Sequence, residues 1–230
     1  LLLTSSRFKK INFKNFKVSV GGGMAVLSET AKKWKKITGT NITQGYGLTE
    51  TSPVVTINKI DDEYNGSIGI PLQSTDIKII NENNVELKIG DIGELCVKGP
   101  QVMSGYLNDT DQSFDSFTSD NFFKTGDIAY ISSNGFIKIV DRKKDMIISS
   151  GYNVYPNEIE DYLGNHPNIL EAGIIGIPDK NRGEAIKAFI VADDEKVDLT
   201  EYKIPKTVIF LQELPKTNVG KILRRKLRDL

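Results

Sequence analysis

Apolar positions change their spacing along this chain, and each change predicts a different kind of element. In "VSVGGGMAVL" (18–27) a short apolar run meets three consecutive glycines, which predicts a strand feeding a turn. In "SETAKKWKKITG" (28–39), Ala31, Trp34 and Ile37 recur every third residue, the spacing of one helix face. Ser28 is the expected N-cap and Gly39 the expected stop. "NITQGYGLTE" (41–50) reads as a brief strand running into a loop, because 44–50 is too glycine-rich for a helix and too polar for a core strand. The order strand, glycine loop, helix, strand is α/β in character.

From 66 to 140 the period drops to two. "STDIKII", "GELCVKG", "GDIAYIS" and "GFIKIVD" are short alternating or β-branched runs, separated by the turn clusters "NENN", "IGDIG" and "SSNG". They predict a compact antiparallel β unit. The charged run "DRKKD" (141–145) follows, and a domain boundary is expected at 141–144. Beyond it, "DMIISS" predicts a strand. "PNEIEDYLGNHP" predicts a helix with Pro156 in its first turn and Ile159, Tyr162 and Leu163 facing inward. "ILEAGIIGIPD", "EAIKAFIVADD" and "TVIFLQELP" predict strands, and "GKILRRKLRDL" a basic terminal helix. The expected fold is α/β with a β-rich subdomain over 1–143 and a small α+β C-terminal domain over 144–230.

Composition removes several function classes. Among 230 residues, 30 Lys and Arg balance 30 Asp and Glu, so nothing global marks a nucleic-acid binder. Cys96 is the single cysteine, which excludes an internal disulfide and a cysteine-based zinc site and fits a reducing, cytoplasmic setting. It lies in the alternating run "ELCVK" and is read as a buried strand residue. His166, in "GNHPN", is the single histidine, so a histidine metal cluster is not expected. No apolar run approaches the ~18 residues of a membrane span. "LLLTSSRFKK" has its basic residues after the apolar run, unlike a secretory signal. The chain begins without Met and is expected to be a piece of a longer protein.

The candidate chemistry is concentrated in a few short stretches, and each has a plain structural reading beside it. In "GGGMA", Gly21, Gly22 and Gly23 let backbone approach a flat or phosphorylated ligand, although three glycines more often make a tight turn. The spacing fits neither standard phosphate fingerprint. In "QGYGLTE", Tyr46 beside Gly47 has a ring free to stack on a purine. Thr49 has a hydroxyl for a phosphate oxygen, and Glu50 a carboxylate for Mg²⁺. The alternative is a loop with a packed tyrosine and a solvated glutamate. In "KTGDIAY", Asp127 has the acceptor oxygens for two ribose hydroxyls, or is an ordinary Gly-Asp turn. Arg142 is a second hydroxyl or phosphate contact, or part of a solvated charged loop. Lys221, directly after Gly220, has the charge to meet developing negative charge. It also belongs to a basic stretch with Lys216, Arg224, Arg225, Lys226 and Arg228 that suits a membrane surface or an acidic partner.

In sequence order, "GGGMAV", "QGYGLTET", "GELCVKGPQVMSGYLN", "FFKTGDIAY", "GFIKIVDRKKDMIISSGYNVYPNEIE" and "LPKTNVGKILRRKLRD" resemble the later motifs of the adenylate-forming enzymes. That superfamily includes acyl-CoA synthetases, firefly luciferase and peptide-synthetase adenylation domains. The wording is most similar to bacterial long-chain fatty-acid–CoA ligases. The resemblance implies ATP, Mg²⁺ and CoA, with a fatty acid as the acyl substrate. It implies that a carboxylate attacks the ATP α-phosphate and that CoA then displaces AMP. By position it implies Tyr46 on adenine, Gly21–Gly23 bordering adenine and acyl pocket, and Thr49 on phosphate. Glu50 would hold Mg²⁺, and Asp127 and Arg142 the ribose hydroxyls. Lys221 would reach the carboxylate and α-phosphate. Lys144 looks like a hinge, and Gly151 would line the pantetheine channel.

Two departures from the family pattern qualify this. The family's Ser/Thr/Gly-rich phosphate loop, expected upstream of Gly21, is not among the 230 residues. A helix expected between "AFIVADDE" and "YKIPK" has no room in "VDLTEYKIPK", which predicts a bare apolar sheet face. The chain alone is therefore expected to be inactive or weak in adenylation. The alternatives are a non-catalytic nucleotide- or partner-binding remnant and a peptide-synthetase-type adenylation domain. A peripheral contact at the inner membrane face is the reading for the basic C-terminus.

Overall fold

The triple glycine ends strand β1 (Ser19–Gly21) in the computed structural model of the chain, which describes residues 2–60, 62–193, 205–218 and 220–230. Helix α1 (Ser28–Thr38) follows. Ser28 is its first residue rather than its cap; Leu27 holds the extended cap position. Gly39 stops the helix at φ 77°, a left-handed conformation that costs glycine nothing. Trp34 Nε1 donates to Ser19 Oγ at 2.7 Å and fastens α1 to β1.

Strand β2 (Ile42–Gly47) corrects the loop expected for 44–47. It runs parallel to β1, with Gly21 opposite Gln44, and antiparallel to β3 (Val54–Ile57), with Tyr46 opposite Thr56. The glycines that argued against a core strand are what admit this one. A Cβ on Gly22 would stand 3.2 Å from the Gly45 carbonyl oxygen, and one on Gly47 would stand 1.6 Å from that of Pro53. Strand propensity is a statement about side-chain packing, and here the backbone approach decides. Strand β4 (Ile70–Pro71) closes this sheet against β3.

The antiparallel unit has the expected membership. Strands β5 (Asp76–Ile80), β6 (Gly93–Lys98), β7 (Phe123–Ile131) and β8 (Ile137–Arg142) lie in chain order in one sheet. A short helix α2 (Thr110–Asp115) stands between β6 and β7, with Asp109 Oδ1 accepting the Gln112 N–H at 3.0 Å. Val55, Ile68, Ile79, Leu95, Val97, Ala129 and Ile137 form its buried core. Side chains alternate across a strand, so Leu95 and Val97 reach this core from one face of β6.

The chain divides into two compact units, Leu1–Ile139 and Val140–Leu230, and the division falls inside β8. The second unit holds β9 (Ile147–Ser149), β10 (Tyr152–Val154), α3 (Pro156–Gly164), β11 (Ile169–Asp179), β12 (Gly183–Ala192), β13 (Thr207–Phe210) and a single turn α4 (Arg224–Leu227). Strand β12 pairs antiparallel with β11 and parallel with β13. Successive residues of β12 feed opposite faces. Ala188 and Ile190 pack with Ile159 and Leu163 of α3, while Phe189 and Val191 pack with Leu214 and Leu227. Both sheet faces therefore carry buried clusters, and the bare face expected from the short 193–205 connection is not seen among the described residues. The helix expected to be absent falls on 194–204, outside the described residues.

Two local expectations are corrected. Tyr162 is 63% exposed, so only Ile159 and Leu163 form the inward stripe of α3. The basic terminal helix shrinks to α4, because Gly220 to Leu223 turn back toward Lys216 before any helical turn forms.

Candidate functional site

In the first unit the structure joins two of the sequence-selected side chains directly. The Tyr46 hydroxyl donates to Asp127 Oδ2 at 2.5 Å, across 81 residues of sequence. Tyr46 is carried by β2. Asp127 is carried by β7 and is not in a turn, as the Gly-Asp pair suggested. It sits in a bulge: a step of two residues on β6, Glu94 to Cys96, faces four on β7, Ile128 to Lys124. Bulges re-aim a side chain without ending the strand. This one is pinned by its own polar groups. Thr125 Oγ1 donates to Leu95 O at 2.8 Å and accepts the Asp127 N–H at 3.1 Å. Glu94 Oε1 accepts the Gly126 N–H at 3.2 Å, and Gly126 adopts φ 70°. Asp127 is held 3% exposed as a result.

Thr49 and Glu50 lie in the one-turn 3₁₀ segment Thr49–Thr51 that follows β2. Thr51, fully buried, anchors that turn. Its hydroxyl donates to Pro53 O at 2.6 Å and accepts the Leu48 N–H at 3.0 Å. Thr49 is left exposed and Glu50 half-buried. Glu50 Oε1 accepts from the Tyr106 hydroxyl at 2.9 Å, and the Glu50 carbonyl accepts the Met103 N–H at 2.8 Å. Burial and the neighbouring Glu50 carboxylate push the Tyr106 phenol above its ordinary range. Sequence reasoning did not single out Tyr106; its one signal was its place in "GPQVMSGYLN". Gly22 and Gly23 are exposed beyond the end of β1, with Gly23 at φ 80°.

Among the described residues no group of three or more His, Cys, Asp or Glu is arranged to hold a metal. The described residues thus provide no all-protein cage. A single carboxylate, Glu50, with one oxygen on Tyr106, fits Mg²⁺ of the kind that keeps waters and leans on phosphate oxygens.

The remaining selected residues lie in the second unit. The Arg142 N–H donates to Asp141 Oδ1 at 2.7 Å. Lys144 is exposed in the 3₁₀ turn Lys143–Asp145. Gly151 is in the two-residue turn joining β9 and β10, with Ser150 at φ 53° and Gly151 at φ 80°, and a Cβ there would meet nothing within 4 Å. Lys221 is exposed on the return arm of a tight turn. Its carbonyl accepts the Thr217 N–H at 2.8 Å, and its own N–H donates to Thr217 Oγ1 at 3.1 Å.

Arg224 departs from the solvated basic face expected of it. Its guanidinium donates to Glu160 Oε2 at 2.8 Å, Asn157 Oδ1 at 2.7 Å, Asp145 Oδ2 at 3.3 Å and Asp141 Oδ1 at 3.4 Å. Asp141 is fully buried, and its Oδ2 accepts the Asn157 N–H at the start of α3. Burial raises the Asp141 and Glu160 carboxyls above their ordinary range, against the pull of Arg224. Of the other cations in that stretch, Lys216 pairs with Glu171 and Arg228 with Asp145. Lys221, Arg225 and Lys226 are exposed. Among the described residues no helix is long and apolar enough to cross a membrane.

Known proteins match this chain along its length. The family model for AMP-binding enzymes matches residues 1–107, and that for the AMP-binding enzyme C-terminal domain matches residues 158–221. A long-chain-fatty-acid–CoA ligase of Salmonella typhimurium is 47% identical over 99% of this chain and 43% of its own length. A 2-succinylbenzoate–CoA ligase of Bacillus licheniformis is 43% identical over 90% of this chain and 45% of its own. The crystal structure of ATP-bound MatB from Rhodopseudomonas palustris superposes with a TM-score of 0.92 at 34% identity, over 99% of this chain and 48% of that one. The chain thus spans less than half the length of each of these relatives.

Proposed function

This chain belongs to the AMP-binding, adenylate-forming enzymes, and from that membership and the geometry above we propose that it carries part of the site of a long-chain-fatty-acid–CoA ligase. The proposed reaction has two steps. A fatty-acid carboxylate oxygen attacks the α-phosphorus of ATP, the bond to pyrophosphate breaks, and an acyl-adenylate forms. The CoA sulfur then attacks the acyl carbon, and AMP leaves with the electron pair of the broken acyl–oxygen bond.

In this reading Tyr46 faces adenine from β2, and Gly47, Gly21, Gly22 and Gly23 border the nucleotide with bare backbone. Asp127 and Arg142 hold the ribose hydroxyls, and Thr49 meets a phosphate oxygen. Mg²⁺ at Glu50 supplies neutralisation of phosphate charge. Lys221 meets the negative charge that develops between carboxylate and α-phosphate. Its place on a separate compact unit suits a residue needed in the first step and withdrawn in the second, with Lys144 as the hinge and Gly151 beside the pantetheine arm. The choice of a long-chain acid is supported by the 47% identity to long-chain ligases. A membrane contact would rest on exposed Lys221, Arg225 and Lys226, since Lys216, Arg224 and Arg228 already face carboxylates.

The observation that carries the reading is the Tyr46–Asp127 hydrogen bond. It unites a ring and a carboxylate of the kinds that adenine and ribose require. A second reading is nucleotide binding without turnover. The two are separated by mixing the chain with the N-terminal part of a long-chain ligase and measuring acyl-CoA formed from palmitate, ATP and CoA. We expect the chain alone to give background pyrophosphate exchange, the mixture to form thioester, and K221A to lower its rate by ~10²–10³-fold. Nucleotide binding with no thioester in any mixture would leave the second reading standing.

A further inference from the structure

We propose that Tyr106 is a positioning residue for Glu50, turning one carboxylate oxygen toward a phosphate-bound Mg²⁺ by holding the other; this rests on the reading of Glu50 given above. A glutamate's terminal torsion is broad, so a free Glu50 carboxylate would sample many orientations. The Tyr106 hydroxyl removes that freedom at Oε1 through a 2.9 Å hydrogen bond. Oε2 is then the oxygen on offer, and its direction follows from the plane that Tyr106 sets.

Tyr106 is itself well held. Its N–H donates to Ser113 Oγ at 2.7 Å, and Ser113 belongs to α2, the helix capped by Asp109. Gly105 permits that approach, because a Cβ there would stand 2.9 Å from Ser113 Oγ. The same loop grips Glu50 a second time, through the Met103 N–H on the Glu50 carbonyl at 2.8 Å. The loop between β6 and α2 thus fixes both backbone and carboxylate of a residue more than 50 positions earlier. Tyr46 does the same for Asp127, so two tyrosine hydroxyls each engage one oxygen of a site carboxylate.

The test is calorimetric titration of the full chain with ATP over a range of Mg²⁺ concentrations, on wild type, Y106F, E50Q and the double variant. We expect Y106F to bind ATP in EDTA as wild type does, and to need about 10-fold more Mg²⁺ for half-maximal enhancement, the worth of one hydrogen bond to a charged group. E50Q should lose the Mg²⁺ enhancement, and Y106F should add nothing to it, because residues acting through one contact are not additive. A merely structural tyrosine would weaken ATP binding equally with and without Mg²⁺. An unchanged Mg²⁺ dependence in Y106F, with E50Q shifted, overturns the inference and leaves Glu50 as the metal carboxylate. Wild type that binds no ATP, or E50Q that keeps the Mg²⁺ dependence, overturns the reading of Glu50 and the inference with it.

Discussion

Gly47 has no room for a side chain, and that single fact explains much of how the site is built. A Cβ there would meet the Pro53 carbonyl oxygen at 1.6 Å, in the segment that also anchors Thr51. We expect G47A to cost more than about 3 kcal/mol, the upper end of overpacking, because the obstacle is backbone rather than a flexible side chain. G23A should cost about 1–2 kcal/mol, the strain of a left-handed alanine, since nothing lies within 4 Å of its Cβ. Thermal melts of the two variants read this difference directly. Equal losses would mean that β2 and the Pro53 segment do not meet as described. At this scale the sequence was informative where one stretch held the chemistry: Tyr46, Thr49 and Glu50 stand out within seven residues. It was silent on Tyr106, whose meaning depends on a partner more than 50 residues away.

Among elements, the Arg224 cluster is where sequence and structure part most. Read along the chain, Arg224 is one of several cations before the C-terminus; in the fold it ties α4 to α3 and to the 141–145 segment. No local pattern reveals that, because the three carboxylates come from separate elements. Removing one partner from a buried ionic cluster leaves charge uncompensated, so R224A should cost about 3–5 kcal/mol near pH 7. The sign of the pH dependence follows from Asp141 and Glu160. Both carboxyls are raised in the fold by burial, so the folded state holds these protons more tightly than the unfolded chain. Their contribution is most favourable below the ordinary values of 3.8 and 4.5, and declines as pH rises through the folded values. Without the guanidinium both rise further. The cost of R224A should therefore shrink as pH falls toward about 4.5. Melting curves of wild type and R224A across that range test it, and a cost that grows toward acid pH would contradict it. The bulge in β7 shows the same limit of local reading. "TGD" looks like a turn, and only its pairing with β6 shows that the strand continues past Asp127.

Across the whole molecule, the order of elements was legible because hydrophobic period and turn residues agree along most of the chain. The meander β5 to β8 follows the short alternating or β-branched runs that predict it, and β11 and β12 lie where strands are expected. Sequence and structure also differ at 44–47, where a glycine-rich stretch is a strand, and at 220–223, where the basic stretch turns back before a helix forms. The proposed function turns on whether Tyr46 and Asp127 form an adenosine-binding pair. Calorimetric titration of the full chain with AMP, on wild type and D127N, tests it most directly. Saturable one-site binding is expected, weakening by about 10-fold or more in D127N, the worth of hydrogen bonds to a charged acceptor. Absence of saturable binding, or a D127N variant that binds AMP as wild type does, would contradict it.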